Sequence, residues 1–83
     1  MKYDLYQKYL KEYALEALKH GDDVSQAADY LQNISDPPLF AKHRREKREA
    51  LHRAQKVFDE SRSRPPWIVL KSLGLDETAK DYL

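Results

Sequence analysis

Apolar residues recur along this chain at three- and four-residue intervals, the spacing of one helix face rather than the alternation of a strand. From Tyr3 to His20, the side chains of Tyr3, Tyr6, Tyr9, Leu10, Tyr13, Ala14, Ala17 and Leu18 fall on one half of a helical wheel. Lys8, Lys11, Glu12, Glu16 and Lys19 occupy the other half. Leu5 and Leu15 break the pattern, since both fall among the polar positions. Gly21 marks the end of this first helix, with Lys19 and His20 in a last turn where cations suit the helix dipole.

A second, shorter helix opens at Asp22-Asp23. Asp23 is placed to cap it, and Gln26 three residues later completes a capping box. Val24, Ala27, Ala28, Leu31 and Ile34 form its apolar stripe. Asn33 to Pro38 reads as a turn, because Ser35-Asp36-Pro37-Pro38 puts two capping residues ahead of prolines. The longest helix is expected from about Pro38 to Asp59 or Glu60, with Leu39, Phe40, Ala50, Leu51, Ala54, Val57 and Phe58 facing inward. His43 and Lys47 fill the gap on that side. Ser61 to Pro66 ends it, since consecutive prolines cannot continue a helix.

Trp67 to Leu73, closed by Gly74, reads as a short helix. Trp67-Ile68-Val69-Leu70 has the composition of a strand, but a lone strand would have no partner in this sequence. Asp76 to Leu83 is expected as a final helical turn capped by Asp76, with Ala79, Tyr82 and Leu83 turned inward. The pattern therefore predicts an all-α fold: one domain over residues 1–83, a compact bundle of three main helices with a short C-terminal helical segment.

Composition changes this picture in two ways. The chain has 83 residues and no cysteine, so a core of marginal size has no disulfide to help it. That makes a homodimer or a complex with a protein partner a natural expectation. Second, Met1-Lys2-Tyr3-Asp4-Leu5 has no apolar run behind a basic start, and no stretch approaches the ~20 apolar residues that span a bilayer. A soluble, cytoplasmic protein without membrane association is expected.

Charge is distributed unevenly behind a net +1. Residues 21–36 hold Asp22, Asp23, Asp29 and Asp36 with no base, whereas residues 37–64 hold nine Lys or Arg against four acids. On the wheel of the third helix, Arg44, Arg45, Arg48, His52 and Lys56 share an arc of about 120°, roughly opposite the apolar stripe. Ala41, Gln55 and Asp59 fall within the same arc. Cations in this arrangement can reach successive phosphates of a nucleic acid. Arg62 and Arg64 in the following turn are placed to extend the patch. The alternatives are a solvated face supported by i,i+4 pairs such as Arg45–Glu49 and Glu49–Arg53, and an acidic protein partner for the same cations.

Catalytic chemistry finds no foothold. His20, His43 and His52 have no ligand spacing and no cysteine beside them, so neither a metal nor another cofactor is expected. Each serine sits near a cap or turn, and Gly21 and Gly74 stand alone rather than in a phosphate-cradling loop. Residues 24–45 follow the outline of a helix-turn-helix, but the turn lacks glycine, runs one residue too long and carries Pro37-Pro38 where bases are read. The expected function is a non-enzymatic binding module contacting nucleic-acid phosphates through the basic face. The alternative is a small adaptor or inhibitor that docks on another protein through the Tyr-rich first helix and the Trp67 segment, with Leu5, Leu15 and Trp67 as contacts.

Overall fold

The computed structural model describes residues 2–34 and 43–83, with the backbone only for Lys2 and Tyr3. Among the described residues, five α-helices follow one another: α1 (Lys2–His20), α2 (Val24–Asn33), α3 (Arg44–Glu60), α4 (Pro66–Ser72) and α5 (Asp76–Ala79), with a 3-10 turn at Lys80–Tyr82. There is no strand among the described residues, so Trp67 to Leu70 is helical. The first three helices pack on one another, the most extensive contact being between α1 and α3. The last two helices lie together at the C-terminal end of α3. The Cα radius of gyration is 12.0 Å, the value of a well-packed chain of this length.

The amphipathic stripes supply the core. Leu10, Ala14 and Ala17 of α1 are buried against Val24, Ala27, Ala28 and Leu31 of α2 and Ala50, Leu51, Ala54, Val57 and Phe58 of α3. Val69, Leu70, Leu73, Leu75 and Ala79 close the bottom of this core. Phe58 is fully enclosed, and burying a side chain of that size contributes about 1.5–3 kcal/mol. Tyr6, Tyr9, Tyr13, Leu18, Tyr30, Ile34 and Trp67 are half-buried around it. Leu39 and Phe40, expected in the same stripe, lie outside the described residues, as do Ser35 to Pro38, where the sequence predicts a turn.

Local chemistry sets most helix ends. At α2 the Asp23 carboxylate accepts from the Gln26 amide at 2.8 Å. The Gln26 side chain returns a bond, its Oε1 accepting from the Asp22 amide at 2.9 Å. Gly21 ends α1 for a steric reason, since it is buried and its backbone has no left-handed φ. A Cβ there would stand 2.4 Å from the Ala27 nitrogen, so only glycine lets α1 run this close to α2. At the end of α4, Gly74 adopts φ 77. The Gly74 amide donates to Lys71 O at 3.0 Å and the Leu75 amide to Leu70 O at 2.9 Å. This is a Schellman motif, completed by two buried leucines.

Three expectations are corrected. The third helix does not run unbroken from Pro38: His43 is left-handed, φ 66 and ψ 14, and the helix starts after it at Arg44. Left-handed backbone cannot be carried through a right-handed helix. Asp76 is the first residue of α5 rather than its cap; Leu75 takes the cap position, with no side-chain hydrogen bond. Tyr82 and Leu83 do not turn inward but are 39% and 81% exposed, because the 3-10 turn that follows α5 changes the angular step per residue.

Candidate nucleic-acid interface

The face of interest exists because α3 is amphipathic over its 17 residues. Its inner stripe is fixed in the core, which turns Arg44, Arg45, Arg48, His52 and Lys56 to the outside; all five are exposed. From Arg44 to Lys56 the helix rises about 18 Å, at roughly 1.5 Å per residue. Arg45 pairs with Glu49 at 3.4 Å, an i,i+4 contact with both side chains well exposed. Such a pair is worth about 0.3–0.5 kcal/mol, so phosphate can displace it at little cost. Arg44, Arg48, His52 and Lys56 form no ion pair among the described residues.

The five side chains form two groups rather than one even stripe. Arg44, Arg45 and Arg48 surround a surface depression with His43, Glu46 and Glu49. His52 and Lys56 line a second one, about 430 Å³, with Gln32, Gln55 and Asp59. The division comes from α2, whose C-terminal end reaches the middle of the arc. There the Gln55 amide donates to the Leu31 carbonyl at 2.8 Å, satisfying a helix-end acceptor. The Gln32 amide donates to Asp59 at 3.4 Å. Gln55, read on the wheel as one more outward residue, is instead a tie between α2 and α3.

Arg62 does not extend the patch. Its Nη2 lies 2.8 Å from Asp29 Oδ1 and its Nε 3.0 Å from Asp59 Oδ1. Its carbonyl accepts from the Ser25 hydroxyl at 3.0 Å. The hydrogen bonds to Asp59 and then Asp29 hold the guanidinium above its already high ordinary pKa. Arg62 thus staples the α3–α4 turn to α2 and cancels two acids near the basic face. Arg64 remains exposed.

The other candidate contacts are only half-available. Leu5, Leu15 and Trp67 are each of intermediate burial. Leu15 borders a shallow groove with Glu12, Tyr13, Glu16 and Lys19, while Trp67 packs against the core and carries Lys71 5.7 Å from its ring centre. Burial, with smaller contributions from the charges of Glu12 and Tyr9, raises the Tyr13 phenol above 10.0. Leu5 and Leu15 are about 15 Å apart along α1, by the helical rise. The three do not share one element.

The histidines are separated. His20 is bonded to Glu16 at 2.9 Å and stacked on Tyr30 with ring centres 4.6 Å apart. His52 stands on the basic face, and His43 meets Tyr9, its Nδ1 2.8 Å from the phenol oxygen. No three His, Cys, Asp or Glu side chains among the described residues are placed to hold a metal ion. Sequence reasoning missed the Tyr9–His43 contact, which joins positions 34 residues apart; the periodicity marked Tyr9 only as core.

The fold and this face define an all-helical protein with a basic outer helix. No helix among the described residues is long and apolar enough to cross a membrane. No protein-family model, curated protein or solved structure matches the chain.

Proposed function

We propose that this chain is a non-enzymatic nucleic-acid-binding module that contacts phosphates through Arg44, Arg45, Arg48, His52 and Lys56. The observation that supports it best is the exposure of all five on a helix whose opposite face is anchored in the core. A rigid rod of charge needs no reordering on binding, which lowers the entropic cost of association. Glu49, the acid paired with Arg45, is held by an exposed contact that phosphate readily replaces. Docking on a protein through Leu5, Leu15 and Trp67 has less support, because all three are already partly covered by the molecule itself.

The test is fluorescence-anisotropy titration of a random-sequence 20-base-pair DNA duplex, and of the matching RNA, at several salt concentrations. With four or so phosphates neutralised, log K should fall against log salt with a slope of about −3 to −4. Replacing Arg44, Arg45 and Arg48 with Glu should weaken binding by more than about a hundredfold while leaving the far-ultraviolet circular dichroism unchanged. Absence of binding at low salt, or affinity indifferent to the charge reversal, would remove the proposal.

A further inference from the structure

The start of α3 is weak by local rules. Its cap position is His43, whose side chain makes no capping hydrogen bond and whose backbone is left-handed. A non-glycine residue in that region costs about 1 kcal/mol or more. The first amides of the helix also lack the side-chain acceptor that a Ser or Asp would offer. A turn with these defects frays unless something outside it holds it. Arg44 and Arg45, the first cations of the basic face, lie in that turn.

The hold comes from α1. The Tyr9 phenol meets His43 Nδ1 at 2.8 Å, and the Lys47 ammonium sits 5.1 Å from the centre of the same Tyr9 ring. His43 and Lys47 are one helical turn apart, joined by the Lys47 amide donating to the His43 carbonyl at 2.9 Å. One tyrosine therefore grips both ends of the first turn, with its hydroxyl and with its face. Arg44, Arg48 and Arg45 follow at about 80° to 180° around the helix from the middle of that pair. Fixing one side fixes the direction in which the other side projects.

We propose that Tyr9 is a positioning residue for the basic face: through His43 and Lys47 it sets the first turn of α3, and with it the aim of Arg44, Arg45 and Arg48. The inference rests on the phosphate-binding reading above. Tyr9 itself contacts no phosphate. It pre-pays the ordering that binding would otherwise require.

Two readouts on wild type, Tyr9→Phe, His43→Gly and the double variant separate this inference from the reading beneath it. The first is amide hydrogen exchange of the free proteins. Lys47 and Arg48 amides should exchange about fivefold faster in Tyr9→Phe, the loss of one hydrogen bond, while Val57 and Phe58 amides stay as in wild type. The second is Kd for the 20-base-pair duplex, well below the unfolding temperature. Tyr9→Phe should bind about fivefold more weakly at an unchanged salt slope, and His43→Gly less weakly than that, because glycine relieves the left-handed strain at the same turn. The double variant should be no weaker than either single one, because the lost bond is shared. Unchanged exchange in Tyr9→Phe overturns the latch. Faster exchange with unaltered affinity, in a protein whose binding the Arg-to-Glu variant abolishes, overturns the positioning role and leaves phosphate binding standing. A salt slope reduced by about one in Tyr9→Phe would make Tyr9 a phosphate contact and also overturn it. Wild type that fails to bind, with exchange behaving as expected, removes the phosphate reading and the positioning role together.

Discussion

The starts of α2 and α3 solve the same problem in opposite ways. At α2 the solution is local: Asp23, Gln26 and the Asp22 amide close a reciprocal pair of hydrogen bonds within five residues, and Gly21 lets the preceding helix pass at backbone contact. At α3 no side chain caps the helix and the residue before it is left-handed; the restraint arrives from Tyr9, 34 residues away. A helix end built from neighbours carries its own hydrogen bonds before any tertiary contact forms. One built from a distant side chain exists only once the bundle has closed. The first arrangement suits a structural element, the second an element whose presentation is coupled to tertiary packing.

Substitutions at the two starts sharpen this contrast. The largest effect is expected for Gly21→Ala. Its methyl group would meet the Ala27 nitrogen at 2.4 Å, and backbone cannot yield as a flexible side chain can. Destabilisation of about 3 kcal/mol is expected, seen in urea denaturation as a lower midpoint at unchanged m-value. A loss under about 1 kcal/mol would show that the α1–α2 approach is adjustable. Asp23→Ala should cost about 1 kcal/mol, the ordinary worth of an N-cap, measured by the same titration. The smallest effect belongs to His43→Gly, within about 0.5 kcal/mol of wild type, because relief of left-handed strain offsets the lost bond to Tyr9. A thermal midpoint several degrees below wild type for this variant would mean that the start of α3 carries as much stability as the start of α2. The contrast would then collapse.

What the sequence made legible follows the same division. The extent of α1, the capping box at Asp23, the closure at Gly74 and the buried stripe from Ala50 to Phe58 all depend on residues within one or two turns, and each was readable from spacing. The outward placement of Arg44, Arg45, Arg48, His52 and Lys56 was readable too, as the complement of that stripe. The start of α3 was not, since nothing near His43 announces that a tyrosine 34 positions earlier will reach it. Nor was the capture of Gln55 by the Leu31 carbonyl or of Arg62 by Asp29 and Asp59. A helical wheel treats one helix in isolation, and these contacts arise where two helices and a turn converge. Tyr82 and Leu83 keep helical spacing from Ala79 in the sequence, but the 3-10 turn after α5 carries them off its inward face.

Among the described residues, seven of the seventeen buried apolar side chains are alanines: Ala14, Ala17, Ala27, Ala28, Ala50, Ala54 and Ala79. A buried alanine gives up no rotamer freedom on folding, whereas a leucine or isoleucine surrenders about 0.5–1 kcal/mol of it. Each alanine also lets neighbouring backbones draw together, so dispersion between main-chain atoms replaces part of what bulk would supply. For a chain of this size the balance between order and disorder is narrow, and a core that is small at its contact points narrows the entropic deficit rather than enlarging the apolar gain. Enlarging any of the six alanines in the three main helices would push two helices apart to gain one methyl group or more.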